Sequence, residues 1–271
     1  METEKKAVHD FWNAASCGET LYLHGNETAA YSAQAARRYE LEPYIASFAD
    51  FAKSRDREVL EIGVGLGADH QQFAEAGARL TGVDLTERAV AHTQQRLAAF
   101  GLRSNLQTAD AENLPFDDES FDLVYSWGVL HHSPNTPKAI DEVWRVLRPG
   151  GMARIMVYHT SSIVGYMLWI RYALLRGQPG LSLADIYAQH LESPGIKAYS
   201  VDQARQLFGK FSAVDIETVL THGDLLTSDA GQRHRGALLS IAKAIWPRRL
   251  IRLLLPRDGL FLLARAKKQM P

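Results

Sequence analysis

Between Val59 and His70 the sequence "VLEIGVGLGADH" sets a carboxylate, Glu61, directly ahead of three glycines, Gly63, Gly65 and Gly67, in a G-x-G-x-G spacing. An apolar run precedes them and a helical pattern follows, which reads as a strand, a turn and a helix. The backbone N–H groups and helix dipole of such a turn face a ligand, and glycines let that ligand approach the chain. The ligand class is nucleotide-like. A dinucleotide fingerprint, G-x-G-x-x-G, needs its last glycine at position 68, where Ala68 stands. Glu61 points the same way, since a carboxylate there repels a pyrophosphate and attracts a cationic amino-acid moiety. Asp84 lies 21 residues beyond Gly63 in "LTGVDLT", where an acid accepts hydrogen bonds from both ribose hydroxyls. An adenosine carrying no phosphate fits both acids.

These residues need a parallel sheet to hold them. From Glu58 onward, short apolar runs rich in β-formers alternate with helical patterns, the signature of such a sheet wrapped by helices. The pattern predicts strands near 58–62, 79–84, 104–108, 121–126, 151–157, 213–221 and 259–266, with helices near 67–77, 86–100 and 137–147. The expected fold is a Rossmann-like, seven-stranded, mostly parallel sheet with an antiparallel last strand and helices on both faces. Residues 1–42, containing the aromatic-rich "HDFWNAASCGETLYLHGN", read as an N-terminal cover, and a helix is expected around Pro43 to Lys53. Residues 161–199 exceed an ordinary connection of about 2–6 residues and read as a helical lid or substrate pocket. Its run "SIVGYMLWIRYALL" falls short of the ~20 residues that span a bilayer and contains Arg171, which favours a buried lid helix. All of this forms one domain over residues 1–271.

Composition sets further bounds. With 271 residues, 46% hydrophobic and 23% charged, the chain can bury a large core as a soluble enzyme. The opening "METEKKAVHDFW" shows no apolar run ahead of a small-residue cleavage site, so the cytoplasm is the expected compartment. Cys17 is the only cysteine, which excludes an internal disulfide and a cysteine-built zinc cluster. The net charge of -1 hides an asymmetry: Arg233 to Lys268 holds ten Lys/Arg against one acid, Asp258.

Four stretches, "VLEIGVGLG", "TGVDLT", "TADAENLPFDDESFDLVYSWGVLHH" and "EVWRVLRPGG", in this order and spacing, resemble the class I S-adenosylmethionine-dependent methyltransferases. The similarity is greatest to the group containing ubiquinone and menaquinone methyltransferases and many small-molecule methyltransferases, and it covers about Arg57 to Val157. The resemblance implies S-adenosylmethionine as cofactor and S-adenosylhomocysteine as product. Glu61 and the backbone of Gly63, Gly65 and Gly67 would then meet the methionine part, Asp84 the ribose and Leu85 the adenine. Asp110 would accept the adenine amino group, with the Ala111 N–H toward a ring nitrogen. Ser126 and Trp127 would end the fourth strand beside the methyl group.

Methyl transfer is an in-line displacement, so catalysis consists mainly of holding a nucleophile about 3–3.5 Å from the carbon. An acidic O–H, N–H or C–H acceptor gains from a general base. His131 and His132, in the loop after the fourth strand, stand where the acceptor is expected, with His132 the preferred base. Tyr22 and Tyr31 from the cover, and Tyr158 and His159 after the fifth strand, are further candidates to line the substrate site. The end of the fourth strand reads "YSWG" rather than an Asn-Pro-Pro-aromatic or Asp-Pro-Pro-aromatic tetrapeptide, which argues against amide or adenine-amine methylation. The carboxylate pattern of metal-dependent catechol methyltransferases is missing too, so no metal is expected.

The acceptor expected is a small, lipophilic or secondary-metabolite molecule, or a peptide, methylated at O or N. C-methylation of a prenylated quinone-like ring is the alternative within the class. A non-catalytic cofactor-binding scaffold is the alternative outside it, and an NAD dehydrogenase ranks third. Residues 232–256 form a basic amphipathic segment, interrupted by Pro247, that closes over the pocket or contacts an anionic membrane peripherally. Recognisable RNA-binding appendages are lacking, which argues against nucleic acid. The oligomeric state stays open.

Overall fold

A computed structural model describes residues 2–228 and 243–270. The strands are β1 Glu58–Ile62, β2 Arg79–Asp84, β3 Asn105–Thr108, β4 Phe121–Trp127, β5 Leu147–Tyr158, β6 Ala213–Val219 and β7 Phe261–Lys267. They form one seven-stranded sheet in the order β3-β2-β1-β4-β5-β7-β6. The first five strands are parallel, and β7 runs antiparallel to both neighbours. That is the expected Rossmann-like sheet with its antiparallel last strand. Sequence order reverses between β1 and β4, and such a switch point opens a crevice at the carboxyl ends of the strands.

Two apolar layers clothe the sheet, and the period of two along each strand decides which residue enters which. On one face, Leu60, Ile62 and Val124 pack with Val143 of the helix Thr136–Val146 and with Phe208. On the other, Val59, Leu123 and Tyr125 pack with Phe48, Phe73 and Leu263. Helices on both faces explain why β1 and β4 read as nearly unbroken apolar runs. β5 starts at Leu147, earlier than the expected 151, because "RPGG" is drawn into the strand beside an irregular register at Phe121 and Leu123.

The cover comprises a helix at Glu2–Ala14, a helical turn at Glu19–Tyr22 and a helix at Thr28–Leu41. The helix expected over 43–53 is split into Ile45–Ala49 and a 3-10 turn at Phe51–Ser54, because Asp50 adopts a left-handed φ of 50° between them.

The insertion after β5 carries helices at Ile163–Tyr172 and Leu183–His190, the second opened by a reciprocal cap between Ser182 and Asp185. Tyr199 returns to the sheet, donating its N–H to the Tyr158 carbonyl at 2.8 Å. The first insertion helix is buried on one face only, through Ile163, Gly165 and Leu168, while Tyr166 and Ile170 are exposed. This departs from the buried helix its composition suggests. Among the described residues no helix is long and apolar enough to cross a membrane. Of the basic segment 232–256, residues 232–242 lie outside the described residues, and Arg248–Leu254 forms a helix after Pro247.

Candidate active site

A cavity of about 460 Å³ opens at the carboxyl ends of the central strands, beneath the cover and the insertion. Gly63, Gly65 and Gly67 line it. Gly67, at φ 74°, ends the turn and starts the helix Ala68–Glu75. A Cβ on Gly63 would fall 2.0 Å from Val129 Cγ2, whereas one on Gly65 would meet nothing within 4 Å. Gly63 therefore answers a packing demand of the loop after β4, and Gly65 leaves open floor for a ligand.

Carboxylates at three neighbouring strand ends face this floor. Asp84 and Leu85 line the cavity after β2. Asp84 Oδ2 accepts from the Gly65 N–H at 3.2 Å, and its Oδ1 accepts from the Thr86 N–H and hydroxyl, each at 3.0 Å. Burial raises the Asp84 carboxyl above its ordinary range. Asp110 and Ala111 line the cavity after β3. Asp110 is engaged from the cover, accepting from Lys5 Nζ at 2.6 Å.

Glu61, at the end of β1, also lines the cavity and is 3% exposed. Its Oε2 lies 2.8 Å from His70 Nδ1, and His70 Nε2 lies 2.8 Å from Ser104 Oγ. Ser104 spends its single proton on the Leu80 carbonyl at 2.8 Å, so His70 Nε2 carries hydrogen toward Ser104. One proton is then shared between His70 Nδ1 and Glu61. Burial, reinforced by the Asp69 charge, pushes Glu61 well above the carboxylate range, and burial pushes His70 down to about 3 against the opposing pull of Asp69. A cationic ligand at Glu61 reverses that penalty by favouring the charged carboxylate.

The cover adds a cation that sequence reasoning missed. Arg38 reaches the cavity and clamps buried Asp69 through Nε at 3.1 Å and Nη2 at 2.7 Å. The hydroxyls of Tyr39 and Tyr125 also donate to Asp69, at 3.0 and 2.8 Å. Burial pushes Asp69 up, but Arg38 and these hydrogen bonds outweigh it and hold the carboxyl below its ordinary value. Arg38 lies in "QAARRYELE", where only a polar helical pattern is visible and nothing marks one arginine from its neighbour.

The far wall is aromatic, with Trp12, Tyr22, Trp127 and Tyr158 among its lining residues. Trp127 stacks on Tyr44, and Tyr158 on Phe261, with ring centroids 5.9 and 5.6 Å apart. Three polar groups, His132, Glu192 and Glu42, break this wall. His132 lines the cavity, with Nδ1 2.6 Å from Ser193 Oγ and Nε2 3.7 Å from Glu192 Oε2. Burial lowers His132 to about 3. Glu192 accepts from the Tyr158 hydroxyl at 2.9 Å. Glu42 also lines the cavity, and burial raises its carboxyl to about 7. Neither Glu192 nor Glu42 carries a sequence signal, because both sit in connections outside the regular pattern.

Four expected residues do not reach the cavity. Ser126 is buried between strands, its hydroxyl donating to the Ile62 carbonyl at 2.9 Å. His131 is buried behind Tyr158, with ring centroids 4.2 Å apart and, among the described residues, no hydrogen bond at either nitrogen. Tyr31 turns inward under Arg96, whose guanidinium carbon is 5.1 Å from its ring. His159 is 7% exposed and donates from Nδ1 to the Gly259 carbonyl at 3.1 Å. Strand alternation turns Ser126 away from the crevice, while helix packing turns Tyr31 and the 3-10 turn Leu130–His132 turns His131.

Comparison with known proteins bears on this geometry. Residues 60–155 match the family described as "Methyltransferase domain". An uncharacterised protein of Haemophilus influenzae is 38% identical over 117 residues, covering 41% of this chain and 45% of that protein. The demethylmenaquinone methyltransferase of Tropheryma whipplei is 29% identical over 174 residues, covering 58% and 72%. The matches to the first curated relatives span less than half of their length. Among solved structures, phosphoethanolamine N-methyltransferase 2 of Haemonchus contortus, bound to S-adenosylhomocysteine, shares the fold with a TM-score of 0.55 at 18% identity, covering 83% of this chain and 53% of that one. Residues 60–155 thus match a methyltransferase domain, and the strand order is that of the fold shared with solved S-adenosylmethionine-dependent methyltransferases.

Proposed function

We propose that the protein transfers a methyl group from S-adenosylmethionine to an oxygen or nitrogen atom of a small, lipophilic acceptor, without a metal, leaving S-adenosylhomocysteine. Support comes above all from one cavity onto which Glu61, Asp84, Asp110 and His132 all open. The residues fit the cofactor: Gly65 leaves open floor, and the cavity offers a buried carboxylate for a cationic amino group at Glu61. Glu61 and the glycine backbone would hold the methionine part, Arg38 its carboxylate, Asp84 the ribose, and Leu85, Asp110 and Ala111 the adenine. Lys5 must share Asp110 with that ring.

When bound, S-adenosylmethionine supplies an electrophilic methyl group on a sulfonium. The chain's own part is to fix the acceptor atom in line, which the aromatic wall of Trp12, Trp127 and Tyr158 does by exclusion of water and of other poses. His132, neutral at pH 7 because burial lowers it, takes the proton that the acceptor sheds. Its low basicity calls for help, and Glu192 at 3.7 Å stabilises the imidazolium. Tyr158 holds Glu192 in place.

Isothermal titration with S-adenosylmethionine, followed by radiolabelled methyl transfer over an acceptor panel, tests both halves. Asp84→Ala should weaken binding by roughly 10- to 150-fold, the equivalent of about 1.5–3 kcal/mol for hydrogen bonds to a charged group. Unchanged affinity would refute the cofactor assignment. His132→Ala should bind the cofactor normally while turnover drops by about 10²–10⁴-fold; full turnover would leave His132 a shaping residue only.

A second reading, C-methylation of a prenylated quinone-like ring, draws support from the relation to the demethylmenaquinone methyltransferase and from the apolar wall. Mass analysis of products from a demethylated quinone separates the two.

A further inference from the structure

We infer that the outer faces of two neighbouring helices, Ile163–Tyr172 and Arg248–Leu254, form a docking surface for an anionic lipid bilayer. Ile163 and Met167 of the first and Ile251 of the second share one apolar cluster with Leu220, Leu225 and Trp246, and the Ile163 N–H donates to the Asp258 carbonyl at 3.0 Å. Among the described residues nothing covers their other sides. Tyr166, Ile170, Leu174 and Leu175 are exposed on the first helix and the turn after it, with Leu175 at 74%. Leu250, Leu253, Leu254 and Leu255 are exposed on the second, with Leu253 at 74%. Large apolar side chains gathered this way mark a surface that meets something apolar.

Charge selects the occupant. Arg171, Arg176, Arg249, Arg252 and Arg257 are exposed beside these leucines. Residues 159–184 contain no acid, and Asp258 is the only acid in 243–270. A second copy docking about a two-fold axis would bring arginines against arginines. An anionic bilayer accepts both parts at once, the leucines at the acyl boundary and the guanidinium groups among phosphates. Val164, on the inner side of the same lid helix, lines the cavity, so the docked face is the back of a cavity wall. The surface stands on its own observations, independent of the methyl-transfer reading.

Co-sedimentation with phosphatidylcholine vesicles, with and without phosphatidylserine, is the test. The wild-type protein should pellet with phosphatidylserine-containing vesicles at low salt, release as salt screens the attraction, and stay in solution with phosphatidylcholine alone. Leu175→Glu with Leu253→Glu, and separately Arg249→Glu with Arg252→Glu, should each cut vesicle binding at least about tenfold. Both should melt like wild type and bind S-adenosylhomocysteine with equal affinity, which separates lost docking from lost folding. Wild-type protein remaining soluble at low salt overturns the proposal, as does equal pelleting by the well-folded variants. Sedimentation equilibrium showing a dimer that Leu253→Glu abolishes, without vesicle binding, assigns the face to a second copy and overturns it too.

Discussion

Three imidazoles stand out of water around the cavity, and their neighbours give each a separate use. His70 is caught between Glu61 and Ser104, where burial keeps it neutral and it shares one proton with the carboxyl. His132 opens onto the cavity, while His131, one residue earlier, faces the back of Tyr158 with both nitrogens unpartnered among the described residues. Burial lowers His131 well below its ordinary 6.5. The unfolded chain binds a proton at His131 as pH drops through that value, and the folded chain refuses it until much lower. Stability from this residue is therefore complete above pH 6.5 and is lost on acidification. Replacing it with Phe removes the titration and two unpaired polar atoms. In urea unfolding, His131→Phe should gain on wild type as pH falls below 6.5, by up to about 1.4 kcal/mol per pH unit. A difference that stays constant from pH 7 to pH 5 would contradict this account. The doublet "HH" looks symmetrical in sequence, and only the 3-10 turn at Leu130–His132 separates the two rings.

At the level of elements, the strand, turn and helix around Gly63 are bound to the loop after β4 by close approach. With φ at 85° and Val129 Cγ2 2.0 Å from any Cβ, Gly63→Ala must distort both the turn and the loop that carries His132. Its cost should be about 1–3 kcal/mol from overpacking, beyond the ~1 kcal/mol or more of a strained backbone. Adding Val129→Ala removes both γ-methyls but leaves the residue 129 Cβ 2.8 Å away, so it should recover part of the overpacking cost and none of the backbone cost, which a double-mutant cycle in urea measures. Strict additivity would show that the two sites do not touch. The strands themselves were legible because each obeys a local rule: apolar runs bounded by Gly or Asp, seen to within a few residues in β1, β2 and β4. Only the start of β5 was missed, since "RPGG" is turn chemistry locally and is drawn into the strand between Leu147, which pairs with Phe121, and Met152, which pairs with Leu123.

Across the whole molecule, the sheet is held by apolar layers and the cover largely by charge. The helix Glu2–Ala14 buries only Val8. Lys5 pairs with Asp110 and Glu112, each at 2.6 Å, and Arg88 binds Glu19 through Nε at 2.8 Å. Such partly exposed pairs are screened by salt, whereas apolar burial is not. Hydrogen exchange should therefore quicken over Lys6 to Tyr22 as ionic strength rises, while β4 stays protected. Equal change in both regions would mean that the cover unfolds only with the sheet.

The fold class and the acids Glu61, Asp84 and Asp110 were determined by sequence alone, because a parallel strand, its turn and its helix obey short-range rules that place strand-end side chains on one edge. Tertiary structure alone decided that Arg38, Glu42 and Glu192 join them, and that Ser126, Tyr31, His131 and His159 do not. Those residues come from the cover, the insertion and the strand interiors. There the direction of a side chain depends on what packs against it from far along the chain, and no local period records that.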